Sequence, residues 1–172
     1  MILKTERLIL RPMAENDTAA LADILSDGKV GETYMVPSFA TRADALRLAA
    51  RCIALSVGDA RFVRGIYIGE ALIGMINETE RGEDFVEFGY VISPAHWNRG
   101  YATEAFSAVM EAFLLKGFKV VAGAFESNTA SIRVMQKSGM RLSSSRATVE
   151  YRGTLRRCVY YEAKPGDVPP CS

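Results

Sequence analysis

The chain has 172 residues, the length of one ordinary domain, and its 49% apolar and 24% charged residues are those of a globular chain rather than a disordered, collagen-like or membrane-embedded one. Lys and Arg number 21 against 20 Asp and Glu, so the formal charge of +1 gives no general attraction to nucleic acid or to an anionic membrane. One histidine, His96, excludes a multi-histidine metal centre, and the three distant cysteines (Cys52, Cys158 and Cys171) outline neither a zinc knuckle nor a disulfide framework. No signal-peptide core and no apolar run of membrane-spanning length is present, so a cytoplasmic protein without metal is expected.

One domain is expected over residues 1–164, with 165–172 as a loose tail. Residues 6–11 alternate and predict a first strand, stopped by Pro12. Asn16 and Asp17 can cap a short helix that buries Leu21, Ile24 and Leu25. Gly28 to Phe39 reads as irregular. Thr41 and Asp44 form a capping-box pattern, which opens a helix with Leu46, Ala50, Ile53 and Val57 on one face.

The apolar period then changes from 3.6 to 2, and residues 61–68, 71–77 and 84–92 predict a three-stranded meander. Gly69-Glu70 makes its first turn, and an acidic link from Glu78 to Glu83 makes its second. A helix over about 102–115 ends at Gly117, and Phe118 to Ala124 is a short apolar strand. This succession implies a right-handed crossover between parallel strands. A further helix spans about 129–137, closed by Gly139, and two last strands flank an Arg152-Gly153 turn. The expected fold is α/β, a mixed sheet with helices on its faces.

The stretch with the most chemistry is Pro94-Ala95-His96-Trp97-Asn98-Arg99-Gly100-Tyr101-Ala102-Thr103-Glu104-Ala105. A strand ends, a polar loop with one glycine follows, and a helix begins. The first N–H groups of a helix lack internal partners and sit at the positive end of its dipole. Arg99 adds a cation, and Gly100 allows close backbone approach, so the segment suits a phosphate or pyrophosphate. An ordinary strand-to-helix turn with a solvated arginine is the alternative. Neither a Walker A loop nor a G-x-G-x-x-G fingerprint is present. Chemically His96 would fit a base, but its place after Pro94 suits the phosphate side of such a loop.

Trp97-x-x-Gly100-x-Ala102, followed by Thr103-Glu104-Ala105, resembles the [Q/R]-x-x-G-x-[G/A] loop of the GNAT acetyltransferases. Thr5-Glu6-Arg7-Leu8-Ile9-Leu10-Arg11-Pro12 is similar to the opening of the branch that acetylates ribosomal-protein N-termini (RimJ/RimL-like). Gly89-Tyr90-Val91-Ile92 resembles its fourth strand, and Asn128-Thr129-Ala130-Ser131 with Lys137-Ser138-Gly139-Met140 its N-x-x-S … K-x-G-F segment. The resemblance implies a mostly antiparallel twisted sheet of six or seven strands with about four helices. It implies that Arg99, Gly100, Tyr101, Ala102 and Thr103 bind the pyrophosphate of acetyl-CoA. It further implies that Tyr90, Val91 and Ile92 pair with the pantetheine arm, and that Asn128 and Ser131 lie against the cofactor. Two departures stand out: Trp97 takes the Gln/Arg position, and Met135 takes a position that carries a proton-donating tyrosine in many members.

Acetyl transfer to an amine needs a neutral amine, a stabilised oxyanion and a departing thiolate. Backbone N–H at Val91 or Ile92 can serve the oxyanion, and Ser131 is the candidate for the thiolate. Glu87 and Glu150 are the candidate bases, each able to act through a water if burial raises its pKa. For all three the alternative is an ordinary solvated or backbone-bonding side chain. The acids from Glu78 to Glu87 would favour a cationic acceptor if they rim the cleft, or else form a solvated loop. The expected activity is direct acetyl transfer to a primary amine, a protein N-terminus above all, by a monomer or homodimer. A small-amine (antibiotic or polyamine) acetyltransferase, a non-catalytic acyl-CoA sensor and a protein that retains only the fold are the alternatives.

Overall fold

A computed structural model describes residues 1–58 and 60–167. The described chain forms an eight-stranded sheet and five α-helices, one strand and one helix more than the sequence predicts. The strands are β1 (Leu3–Lys4), β2 (Ile9–Arg11), β3 (Val63–Ile68), β4 (Ala71–Arg81), β5 (Phe85–Ile92), β6 (Lys119–Phe125), β7 (Arg141–Tyr151) and β8 (Thr154–Ala163). The helices are α1 (Thr18–Ser26), α2 (Gly28–Thr33), α3 (Arg42–Val57), α4 (Tyr101–Leu114) and α5 (Thr129–Lys137). The sheet order is β1-β2-β3-β4-β5-β6-β8-β7. The ladders of β1–β2, β2–β3, β3–β4, β6–β8 and β7–β8 are antiparallel, and that of β5–β6 is parallel. The chain divides into two compact units: Met1–Asn77 with Tyr90–Ala105, and Glu78–Gly89 with the chain from Phe106 onward.

In the first unit, the predicted strand over 6–11 is instead two short strands. Thr5 turns the chain between them, its N–H donating to the Leu8 carbonyl at 3.0 Å. Asp17 does not cap α1 with its side chain. Its buried carboxylate accepts the Ala14 N–H (2.7 Å) and the Tyr67 hydroxyl (2.6 Å), which ties the start of α1 to β3. The stretch from Gly28 contains α2, which the sequence does not announce because two of its six residues are glycine. Asp27 supplies what propensity lacks by accepting the N–H groups of Lys29 and Val30. The Thr41–Asp44 capping box forms as expected. The buried face of α3 is Ala45, Ala49, Ile53 and Ser56, so the predicted stripe of Leu46, Ala50 and Val57 is rotated; Ala50 and Val57 are exposed. This face packs with Met13, Leu21, Leu25, Val63, Tyr67, Met75 and Val91 into one apolar core.

In the second unit, Val86, Phe88, Val120 and Ala122 are fully buried, as are Phe106, Val109 and Phe113 of α4. Phe88 and Phe113 meet edge to face at 4.8 Å. The parallel β5–β6 ladder is short: it pairs Phe85, Val86 and Glu87 with Lys119, Val120 and Val121. The acidic link is mostly strand, since β4 runs on to Arg81. Glu78 is buried and paired with Arg81, whose guanidinium lies over the rings of Phe113 and Phe118. Glu78 is therefore withdrawn from the acidic surface of the link, whereas Glu80, Glu83 and Asp84 stay exposed. Arg152 and Gly153 turn β7 into β8, both with positive φ (51° and 74°), as a two-residue hairpin of this twist requires. Asp167 accepts the Lys164 N–H at 2.9 Å and pairs with Arg141 at 3.4 Å, so residues 165–167 form a fastened turn. Residues 168–172 of the expected tail lie outside the described residues.

Asp17→Ala leaves the Tyr67 hydroxyl without its acceptor. It should destabilise the protein by about 1–3 kcal/mol in denaturant titration, and Tyr67→Phe in the Asp17→Ala background should recover part of that loss.

Candidate active site

The phosphate-type loop and its supports all belong to the first unit. The Ser93 N–H donates to the Ile73 carbonyl (2.8 Å), which fixes the exit of β5. Pro94–His96 form a single 3-10 turn. Trp97 then folds back, and its indole Nε1–H donates to the carbonyl of Ile92 at 2.7 Å. At the position where the general motif has Gln or Arg, this chain thus uses an indole to bolt the loop to the end of β5. His96 lies beside Tyr101, ring centroids 6.4 Å apart, with its Nδ1 buried and unpaired. Asn98 and Gly100 both have positive φ (59° and 82°), which reverses the chain into α4.

The first bond of the α4 ladder runs from the Glu104 N–H to the Gly100 carbonyl at 3.0 Å. The amides of Tyr101, Ala102 and Thr103 precede it and are the donors that a helix leaves without intrahelical acceptors. Arg99 stands exposed next to them. An anion at this point meets an N-terminal dipole, a run of N–H groups and a cation, so the residues present fit a pyrophosphate.

Two further features lie around the loop. Gly74 on β4 is needed for space: a Cβ there would collide with the Val91 carbonyl oxygen. Glu104 accepts the Thr5 hydroxyl (2.5 Å), the Arg7 N–H (2.8 Å) and the Arg7 Nε–H (2.7 Å). Burial alone would raise its pKa, but these bonds outweigh it and hold the carboxyl below the usual carboxylate range. The roles of Trp97, Gly74 and the Arg7–Glu104 pair are not legible in the sequence. The partners of Trp97 and Gly74 and the approach of Arg7 to the loop arise only on folding.

The candidate catalytic residues belong to the second unit. Glu87 pairs in register with Val121, Val121 with Glu162, and Gly123 with Tyr160. Since side chains alternate along strands, Glu87 shares a sheet face with Cys158, Tyr160 and Glu162. The opposite face carries Val86, Phe88, Val120, Ala122 and Tyr161, which α4 and α5 cover through Phe113 and Gln136. Glu87 is half-buried. Burial pushes its carboxyl above the ordinary range, against a hydrogen bond from Thr79, and the charge of Glu80 adds to the rise. The same carboxylate helps to push up the Cys158 thiol and the Tyr160 hydroxyl, whose main cause in each case is burial.

Glu150 pairs with Leu155, and the register places both on the face opposite Glu87 and Tyr160. It is exposed near the hairpin tip. The two candidate bases are therefore not brought together. Asn128 caps α5, its Oδ1 accepting the Ser131 N–H at 3.1 Å. Ser131 is half-buried in the first turn of α5, and Met135, one turn on, is fully buried. Among the described residues no group of three or more His, Cys, Asp or Glu side chains could hold a metal ion. None of their helices is long and apolar enough to cross a membrane.

The acetyltransferase (GNAT) domain model matches residues 7–141. The chain belongs to the GNAT acetyltransferase family. It is 30% identical to the uncharacterized N-acetyltransferase YoaA of Bacillus subtilis, with 96% of this chain and 92% of that protein covered. The solved GNAT-family acetyltransferase of Bacillus anthracis is 25% identical at a TM-score of 0.80, over 96% of this chain and 99% of that one. RimL, the ribosomal L7/L12 alpha-N-protein acetyltransferase solved with coenzyme A, shares the fold at a TM-score of 0.81 and 16% identity, over 95% and 98% of the two chains. The mixed, mostly antiparallel sheet is therefore the GNAT fold, and acetyl-CoA is the acetyl donor that the family uses.

A carboxyl whose pKa is raised in the folded state binds protons more tightly there than in the unfolded chain. The fold then loses stability as pH rises from the unfolded value through the folded one. Glu87→Gln, which removes the desolvated charge, should therefore raise Tm at pH 7–8 and have little effect near pH 4. A thermal-melt series across pH checks the sign.

Proposed function

We propose that this acetyltransferase moves the acetyl group of acetyl-CoA directly to the α-amine of a protein N-terminus, with Glu87 as the general base. The observation that carries the reading is the loop from Trp97 to Thr103, an anion cradle built by a positive-φ glycine, an exposed arginine and the start of α4. In this reading Arg99, Gly100, Tyr101, Ala102 and Thr103 hold the pyrophosphate. The backbone of Tyr90, Val91 and Ile92 receives the pantetheine arm by strand addition. An N–H of Val91 or Ile92 stabilises charge on the carbonyl oxygen, a contribution of about 3–4 kcal/mol for one well-aimed donor.

Three points support Glu87 over Glu150. Glu87 is half-buried, its pKa is displaced toward neutrality, and it lies on the sheet face that α4 and α5 leave uncovered in the second unit. An α-amine, with a pKa of about 8, gives up its proton more readily than a lysine side chain at about 10.4. That difference, together with the shared fold of a ribosomal-protein N-terminal acetyltransferase, favours a protein N-terminus over a lysine acceptor. In the transfer, the amine proton passes to Glu87 through a water, the new C–N bond forms and the C–S bond breaks. The Ser131 hydroxyl supports the departing thiolate, and Asn128 holds Ser131 in place through its backbone.

Calorimetry with acetyl-CoA tests the loop: Gly100→Asp, which sets a carboxylate where phosphate must lie, should lose binding by at least about a hundredfold. Unchanged affinity would reject this placement of the pyrophosphate. A thiol-release panel tests the acceptor: peptides with free N-termini should outpace polyamines and amino sugars. Preference for the small amines would assign the protein to them, and binding without turnover of any acceptor would make it an acyl-CoA sensor. Glu87→Gln should lower kcat by about 10²–10⁴, whereas Glu150→Gln should remain within threefold of the parent. The reverse result would move the base to Glu150.

A further inference from the structure

Arg7 is ninety-seven residues from Glu104 in sequence, yet its guanidinium connects three parts of the phosphate loop. Nε and Nη2 bind the Glu104 carboxylate, the latter at 2.6 Å. Nη1 donates to the Arg99 carbonyl oxygen at 3.0 Å. The plane of the group lies over the Tyr101 ring, 4.6 Å from its centroid. A Cβ added to Gly100 would lie 3.3 Å from Arg7 Nη2, so the guanidinium sits directly against the loop glycine.

The consequence follows from peptide geometry. In a planar trans peptide the C=O of one residue and the N–H of the next point in opposite directions. Holding the Arg99 carbonyl toward Arg7 therefore turns the Gly100 N–H away from Arg7. The electrostatics point the same way. A lone Glu104 carboxylate in the first turn of α4 would oppose a second anion at that helix start, and the paired Arg7 cancels it.

We propose that Arg7, oriented by Glu104, is a positioning residue that sets the Arg99–Gly100 peptide for phosphate recognition and neutralises the carboxylate beside it. The proposal rests on the assignment of this loop to the pyrophosphate of acetyl-CoA. It adds a part of the chain outside the loop, and it gives Arg7 no contact with the ligand.

The test is calorimetric binding of CoA with parallel steady-state kinetics on the full chain. Arg7→Ala should weaken CoA binding by about ten- to thirtyfold. It should raise KM for acetyl-CoA by a similar factor, with kcat at saturation within about threefold and KM for the acceptor unmoved. Arg7→Lys, which keeps the charge but loses the fork, should fall between Arg7→Ala and the parent. Arg7→Ala with Glu104→Ala should bind CoA better than Arg7→Ala alone, because the uncancelled carboxylate is gone. Melting curves identify any unfolded variant, and Arg7→Lys then stands in for Arg7→Ala as the measured arm. CoA affinity within twofold of the parent in both Arg7 variants overturns the proposal. So does a loss that falls equally on kcat and on acceptor KM. Failure of the parent itself to bind CoA would instead overturn the assignment of the loop.

Discussion

The carboxylate of Glu104 is the point on which the first unit's site depends. It accepts the Thr5 hydroxyl, the Arg7 N–H and the Arg7 guanidinium, and so joins the turn between β1 and β2 to the first turn of α4. An anion-binding helix start must keep its own amides available while the loop before it holds a fixed shape. Supports that drew on those amides would compete with the ligand. Here the supports draw instead on carbonyls: Arg7 takes that of Arg99 and Trp97 takes that of Ile92. The backbone is held from its acceptor side, and the first amides of α4 keep no intrahelical acceptor.

The second unit handles its acids in two opposite ways. Glu78 is buried and fully committed to Arg81, which stacks on Phe113 and Phe118, so this pair works as packing. Glu87, nine residues later, is half-buried beside another carboxylate, Glu80, and carries a raised pKa. A raised carboxylate pKa is a cost to folding at neutral pH, and groups displaced in this way cluster at functional sites. The division also shows why charge counting over 78–87 is a poor guide to acceptor recognition. Glu78 is already paired with Arg81, and Glu87 is half-buried with a raised pKa.

Features governed by neighbours in sequence were legible without coordinates. The capping box at Thr41, the hairpin turn at Arg152-Gly153 and both ends of α5 follow from side chains within three residues of each other. The facing of α3 was not, because its apolar residues fall on two adjoining stripes and only packing against Leu21 and Tyr67 chooses between them. The short α2 stayed hidden because an aspartate cap and tertiary burial of Val30 make up for poor propensity. That Glu87 and Glu150 lie on opposite sheet faces needed strand register, which alternation within one strand does not supply. The strand–loop–helix order around Gly100 could be read because its signals are consecutive. Its fastening to Arg7 could not, since that contact spans most of the chain.

The treatment of Met135 bears on the last chemical demand, the departing thiolate. The resemblance to the GNAT family implies a tyrosine at that position in many members, but here the methionine side chain is completely enclosed, with 0% exposure. It contributes apolar volume and has no proton to give. Ser131 is one turn earlier on the same stripe of α5, since residues four apart on a helix are neighbours. Its amide is tied by Asn128, which caps the first turn of the helix. A hydroxyl is a weaker acid than a phenol by several pKa units, so Ser131 suits the passing of a hydrogen bond or of a water-borne proton rather than outright donation. Under the proposed mechanism, Met135 therefore adds packing to α5 and leaves the thiolate to Ser131 and solvent.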